Sequence, residues 1–507
     1  MYKIFRILTS RLVVTSVLIA LQLLILALLM SFLKSYYYAF NILFILISII
    51  VVVVIVNRNG NPNFKIAWIV PILMFPVFGG FFYLFFGRTH LSRKNQSKLE
   101  KSLDSAKDHF SVSVESYEKL KEDNPVICRQ ARYLALQAKS DIYCNTSTKF
   151  LSPGTVFFNE LVRCLESAKK YIFLEYFIIA EGRMWRSILD ILERKVKQGV
   201  EVRVIYDDIG AINTLPNGYD EYLRKKGIKV AVFNPYRPSI DVFMNYRDHR
   251  KIAIIDGKIG FTGGINIGDE YINEKIRYGY WQDVSIKIRG DAVNKLIIMF
   301  LQLWNFTVQE DPMYEKYLTD YKAKSDGYVI PFSDEPVTQK LNCQNAYLNI
   351  INNAQKYIYI CTPYLILDDE MTSALIRAAH SGVRVNIITP YYPDKKIVQI
   401  MTRANYEDLI KGGIEIYEFT PGFMHAKAIV SDDEVAVVGT SNFDYRSFYL
   451  HFENNIWMYK SQAVMQAKLA HEAALRKSHE FTLEMIEQQP KLRKILASLI
   501  KVFAPLM

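Results

Sequence analysis

The sequence predicts an α/β protein: two duplicated α/β/α domains with mixed sheets, preceded by N-terminal transmembrane helices. Three observations carry that prediction. The first ninety residues are dominated by long apolar runs, the remainder alternates short β-branched strands with helical patterns, and the second part of that remainder repeats the first segment by segment.

The front, residues 1–90, reads as membrane. From Leu12 to Leu33 only Thr15, Ser16, Gln22 and Ser31 interrupt an apolar run long enough to cross a hydrocarbon core of about 30 Å. A second run, Phe40 to Val56, ends in six β-branched residues, which in lipid still favour a helix because an open strand would leave its backbone unsatisfied. A third, Ile66 to Phe86, holds Pro71, Pro76, Gly79 and Gly80 and reads as a kinked span or a re-entrant hairpin, with Trp68 and Tyr83 at its interfacial ends. The first run is too long for a signal peptide and no small-x-small cleavage site follows it. Lys3, Arg6 and Arg11 before the runs, and Arg88, Arg93, Lys94, Lys98 and Lys101 after them, both favour the cytoplasmic side. Three full crossings cannot satisfy both, so two or three hydrophobic helices are expected, the first or third run being the one that need not cross. The protein is expected to be multi-pass in a cell membrane, with the large domain that follows the runs in the cytoplasm.

Residues 91–123 turn polar and helix-friendly and read as a juxtamembrane connector. The repeats follow at 124–311 and 327–484. Lys170-Tyr171-Ile172-Phe173-Leu174-Glu175-Tyr176-Phe177 has its counterpart in Lys356-Tyr357-Ile358-Tyr359-Ile360-Cys361-Thr362-Pro363-Tyr364. Each strand pattern lies between helical ones, Phe157 to Lys169 and Met184 to Gln198 in the first repeat, Asn345 to Gln355 and Met371 to His380 in the second. Gly199 and Gly382 then stop a helix ahead of a further strand, and Gly227 and Gly413 do so again. Residues 485–507, with Lys491, Arg493, Lys494 and Lys501, read as a basic amphipathic segment suited to anionic lipid or to packing on the second repeat.

Each repeat supplies one copy of a polar motif. The first is His249-Arg250-Lys251 with Asp256, then Gly263 and Asn266; the second is His425-Ala426-Lys427 with Asp432, then Gly439 and Asn442. From Asp to Gly is seven residues and from Asp to Asn is ten in both copies. On a strand, His249 and Lys251 share a face, as do His425 and Lys427. Asp256 and Asp432 fall at hairpin turns, which favours a turn-pinning or supporting role over attack. Two imidazoles, two ammonium groups and two amides in one concavity suit a phosphodiester, one His attacking phosphorus while the other serves as acid and base. A nucleophilic imidazole needs an acceptor behind it: Glu453 is the candidate for His425 and Asp283 for His249. Glu175, Tyr176 and Tyr364, at strand ends, are candidates for substrate binding. The motifs have no acidic cluster of metal-site spacing, so neither metal nor cofactor is expected. Cys128, Cys144, Cys164, Cys343 and Cys361 lack any CxxC spacing and are expected as reduced, mostly buried thiols.

The motifs resemble those of the phospholipase D superfamily, and further stretches resemble its bacterial cardiolipin synthases: Asn57-Arg58-Asn59, Gly87-Arg88, Gly263-Gly264-Ile265-Asn266-Ile267-Gly268-Asp269-Glu270-Tyr271, Trp281-Gln282-Asp283, and Asn442 to Ser447 running on to Phe452-Glu453. The resemblance implies transfer of a phosphatidyl group between two phosphatidylglycerol molecules, giving cardiolipin and glycerol through a covalent phosphohistidine. It also implies that His249 is the nucleophile and His425 the acid and base. His451 departs from the family, which commonly has Asn there, as do Leu365 and Leu367. The alternative is another membrane transferase or hydrolase of this type with a different alcohol acceptor. A net charge of +11 suits phosphatidylglycerol and other anionic lipids as partners, while the lack of dense basic runs speaks against nucleic acid. Homo-oligomer formation is left open.

Overall fold

The computed structural model describes residues 17, 20–25, 27–28, 37–76, 79–80, 83, 87, 93–110, 112–236, 245–336, 338 and 340–506. The chain divides into two compact units, one made of 1–92, 236–244 and 498–507, the other of 93–235 and 245–497.

In the smaller unit the helix Tyr37–Val56 has 20 residues, about 30 Å of rise, and presents Ile42, Leu46, Ile50 and Val53 outward. Among the described residues it is the one helix long and apolar enough to cross a membrane. The next helix, Pro62–Met74, starts where the Asn61 side chain accepts from the Asn63 N–H and Pro62 takes the first turn. Its 13 residues rise only about 20 Å, short of a hydrocarbon core. Ile55, Trp68, Ile72 and Tyr83 form a small core, edged by a hydrogen bond from Arg58 to the Tyr83 hydroxyl. The run from Leu12 to Leu33 lies largely outside the described residues, as does part of the run from Ile66 to Phe86.

The larger unit contains two mixed sheets of the same design. In the first, the parallel strands Tyr171–Tyr176, Glu201–Asp207 and Lys229–Phe233 are continued by an antiparallel set, Lys251–Ile255, Ile259–Gly263, Ser285–Gly290 and Thr146–Leu151. In the second, Tyr357–Cys361, Arg384–Pro390 and Glu415–Phe419 are parallel, and Ala428–Ser431, Val435–Gly439, His451–Tyr459 and Tyr328–Asp334 run antiparallel beside them. Every residue of Tyr171–Tyr176 is buried, as a strand covered on both faces requires.

The expected helices form as Gly154–Glu166 and Arg183–Lys197 in the first half, and as Asn342–Asn353 and Asp369–His380 in the second. Helix Val293–Val308 packs on the first sheet and Gln462–Leu475 on the second. One helix is not where its sequence position suggests. Pro125–Gln137, expected to open the first half, packs on Tyr328–Asp334 and Asn342–Asn353, so Ile127, Ala131 and Leu134 join the core of the second half. Its apolar stripe fits either sheet, and only the packing selects one. All five cysteines are free, four of them buried. The C-terminal helix Lys491–Val502 exposes Leu492, Ile495, Leu496 and Leu499, spaced as one helical face.

Candidate active site

Each polar motif begins one arm of a hairpin. The turns are tight: Asp256 and Gly257 take φ of 52° and 67°, Asp432 and Asp433 of 57° and 65°. The Asp256 carboxylate accepts from the backbone N–H groups of Lys169, Lys170 and Tyr171 at 2.7–3.0 Å. Asp432 does the same for Gln355, Lys356 and Tyr357 at 2.7–2.9 Å. Both aspartates therefore pin the hairpin turn to the start of the neighbouring strand. Five residues of strand put each about 16 Å from its lysine, so they take no part in the chemistry at the other end. Of the motif residues, Asp256 and Asp432 thus hold the turn-pinning place that their spacing predicts.

At that other end the halves exchange strands. Arg247–Asp248, just before His249, pairs in parallel with His451–Phe452 of the other half, and the His249 N–H donates to the Phe452 carbonyl at 3.0 Å. Gly422–Met424, just before His425, pairs in parallel with Tyr280–Gln282, and the His425 N–H donates to the Gln282 carbonyl at 2.8 Å. Gly422 makes the second pairing feasible: a Cβ there would lie 2.2 Å from the Tyr280 backbone N and O. The exchange reverses the expected carboxylate partners. His249 Nδ1 lies 2.9 and 3.1 Å from the two oxygens of Glu453, and His425 Nδ1 lies 2.6 Å from Asp283 Oδ2. Each imidazole is oriented by a carboxylate of the opposite half, because each lies one residue beyond the pairing: Glu453 follows Phe452, and Asp283 follows Gln282.

The electrostatics follow from burial. Desolvation pushes His249 down to about 3 and His425 to about 4, against the attraction of Glu453 and Asp283. The rings are thus neutral at pH 7. Hydrogen bonding and electrostatic attraction from His249 and His451 hold Glu453 far below the usual carboxylate range, against its own burial. With an ionised acceptor at Nδ1, the ring proton sits on Nδ1 and the Nε2 lone pair is free. Lys251 and Lys427 are buried, each donating to the carbonyl of its own histidine, at 2.5 and 2.6 Å. Desolvation lowers Lys251 to about 7 and Lys427 to about 8, and the Lys427 charge also helps lower Lys251. Lys251 likewise acts on His425, so the two motifs share one electrostatic environment.

The other candidates divide. Asn266 accepts from the Ile178 N–H at 3.0 Å and donates to the Tyr271 hydroxyl at 2.8 Å, while Asn442 donates to Asp444 and leaves its buried Oδ1 without a hydrogen-bond partner. Glu175 is not a surface of the pocket: it is fully buried, 2.7 Å from Arg250 Nε, which also meets Asp248 at 3.1 Å. Burial above all drives its carboxyl upward. Tyr176 is packed in the first core, so its expected pocket role is corrected to packing. Tyr364 donates to Asp394 Oδ2 at 2.5 Å, and Asp394 bears electrostatically on Lys427. Thr440, whose hydroxyl donates to Glu453, and the Asp248–Arg250 pair were not singled out by sequence. Position after Gly439 was the available signal for Thr440. His451, the departure from the family pattern, stands with its ring centroid 5.5 Å from that of His249.

The fold and these crossed imidazole–carboxylate pairs define a duplicated phospholipase D-like protein. Residues 161–303 and 347–472 match the family described as cardiolipin synthase, PLD-like domain, and residues 46–88 match phospholipase D-nuclease N-terminal. A Streptococcus mutans protein of uncharacterised function is 42% identical over 87% of this chain and 96% of its own length. Cardiolipin synthases of Alkalihalophilus pseudofirmus and Oceanobacillus iheyensis are 35% and 36% identical, over 89% and 88% of this chain and 90% and 94% of theirs. The crystal structure of phosphatidylserine synthase from Haemophilus influenzae matches with a TM-score of 0.57 at 17% identity, covering 74% of this chain and all of that one, a likeness of fold. The chain belongs to the cardiolipin synthase family of phospholipase D-like enzymes. It is a phospholipid phosphatidyltransferase.

Proposed function

We propose that the enzyme transfers a phosphatidyl group from one phosphatidylglycerol to the terminal glycerol hydroxyl of a second, forming cardiolipin and releasing glycerol. The observation that supports this best is the pair of buried imidazoles, each tied at Nδ1 to a carboxylate and flanked by a buried lysine. His249 Nε2 attacks phosphorus, the bond to the departing glycerol oxygen breaks, and that oxygen takes a proton from His425. His425 then removes the proton of the incoming hydroxyl, whose oxygen displaces His249 from phosphorus. That His249 and not His425 is the nucleophile rests on the family resemblance.

Both rings are neutral at pH 7, so the acid's proton is taken up from solvent as the substrate anion binds. A phosphodiester anion between Lys251 and Lys427 offsets their charge and raises His425 toward protonation. The lysines stabilise the phosphoryl oxygens, with Asn266 and Asn442 bracing the loops beside them. Multi-pass anchoring with the catalytic unit in the cytoplasm would hold both diacyl substrates at the interface. The exposed leucine face of Lys491–Val502, with Lys491, Lys494 and Lys501, suits an anionic bilayer surface.

The test is lipid mass spectrometry on phosphatidylglycerol vesicles with the intact enzyme and its His249→Ala and His425→Ala variants. Cardiolipin with equimolar glycerol, lost in both variants, supports transfer; phosphatidic acid without cardiolipin would make the enzyme a hydrolase.

A further inference from the structure

The two imidazole–carboxylate pairs are alike in geometry but not in surroundings. Strand register makes Asp283 and Glu453 equivalent, since Ser285 pairs with Gly263 as Asn455 pairs with Gly439. Two residues before each carboxylate, on the same strand face, the first half has Trp281 and the second His451. Trp281 lies against His425 with ring centroids 5.2 Å apart and turns its Nε1 toward Asp283 at 3.4 Å. His451 takes the equivalent place beside His249. Its side chain is only 10% exposed, and neither buried ring nitrogen has a hydrogen-bond partner. This buried imidazole makes no hydrogen bond through either nitrogen and has a carboxylate oxygen 3.7 Å from Nδ1, so its lone pair is available to a ligand.

We propose that His249, His451 and Glu453 form a binding site for a divalent transition-metal ion of the zinc class, and that its occupation excludes phosphatidyl transfer. The donor atoms of the three lie within 4.8 Å of one another. His249 Nδ1 is 2.9 Å and His451 Nδ1 is 3.7 Å from Glu453 Oε1. A tetrahedral zinc site with bonds of about 2.0–2.1 Å has edges of about 3.3 Å, so these separations bracket the required ones, and rotation of the imidazoles closes the widest. Two histidines and a glutamate are a donor set that zinc accepts, with a fourth position left for water. Lys251 and Arg446 oppose a cation here, whereas Glu453 and Asp444 favour it. The indole at Trp281 offers no lone pair, so the other half has no such site.

Exclusion follows from the tautomer. In the working arrangement the His249 proton is on Nδ1, donated to Glu453, and Nε2 carries the lone pair. A metal at Nδ1 takes that lone-pair direction, so the neutral ring must carry its proton on Nε2. An Nε2–H cannot attack phosphorus. This half of the proposal rests on the transfer reaction proposed above, whereas the binding itself does not.

The experiment uses untagged full-length enzyme in detergent, stripped with a chelator. Isothermal titration with Zn2+ and the visible absorption of added Co2+ read binding without any substrate. One ion per chain is expected, in a tetrahedral environment, with affinity falling about tenfold or more in both His451→Asn and His451→Gln. Unchanged binding in both variants, or no stoichiometric binding by the intact enzyme, overturns the site. In parallel, Zn2+ should suppress glycerol release from phosphatidylglycerol vesicles, reversibly by chelator, with lower potency against His451→Asn measured relative to that variant's own uninhibited rate. Zn2+ bound without suppression overturns the exclusion, and absence of any glycerol release with binding intact counts against the transfer reaction rather than the site.

Discussion

The two halves of the larger unit are built to one plan and finished differently. Both place a histidine and lysine at the end of a hairpin strand, both pin the far turn with an aspartate, and both lend a carboxylate to the other half. Around that frame the details part. Glu453 is held by the Thr440 hydroxyl, whereas the position equivalent to Thr440 is Gly264, where a Cβ would come within 2.1 Å of Asp283 Oδ1. The longer carboxylate has a hydroxyl to hold it and the shorter one has space cleared for it. An imidazole flanks His249, an indole flanks His425. The frame is fixed by strand pairing, which tolerates little change, while the flanks are free to differentiate the two rings. A symmetric fold can thereby support two unequal roles.

The sharpest way to break the comparison is to remove each ring in turn. His249→Ala and His425→Ala should each lower transfer by about 10⁴-fold or more, with labelled phosphatidyl trapped on the protein by His425→Ala and not by His249→Ala, read by intact-protein mass spectrometry. Label on the His249→Ala enzyme would reverse the roles.

The crossing of carboxylates comes next. Glu453→Gln and Asp283→Asn should each cost about 10²- to 10⁴-fold in kcat. Glu453→Gln should add little to a His249→Ala enzyme but compound with His425→Ala; the opposite pattern in a double-mutant cycle would restore pairing within each half.

The lysines give a smaller, pH-dependent effect. Both are charged below about pH 7, and as pH rises through about 7 and then about 8 the Lys251 and Lys427 charges are lost in turn. Because their lowered values mean that a bound anion restores the proton, phosphodiester binding should take up protons and weaken by up to about tenfold per pH unit across that window. Calorimetry in buffers of different ionisation heat measures it, and Lys251→Met should remove the earlier part of the fall.

The turn aspartates should have the smallest effect on chemistry. Asp256→Ala and Asp432→Ala should each lower stability by about 1–3 kcal/mol, seen as a lower thermal midpoint, with kcat of the folded enzyme little altered. A large loss of kcat without loss of stability would return them to the site.

The sequence by itself determined the duplication, the helix and strand order, the sharing of one strand face by each His and Lys, and the turn position of each aspartate. These are consequences of local periodicity and spacing, which a chain carries wherever it folds. It also exposed Asp283 and Glu453 as carboxylates at strand starts, yet assigned each to the wrong histidine. Pairing between Arg247–Asp248 and His451–Phe452, or between Gly422–Met424 and Tyr280–Gln282, joins residues far apart in the chain, and no local pattern encodes which strand edge meets which. The same holds for Glu175, legible as a strand-end carboxylate but buried against Arg250, and for helix Pro125–Gln137, which lies within the first repeat by sequence but docks on the later half. Burial, partner and tautomer are properties of the assembled tertiary structure, because each depends on what closes over a side chain and not on the side chain alone.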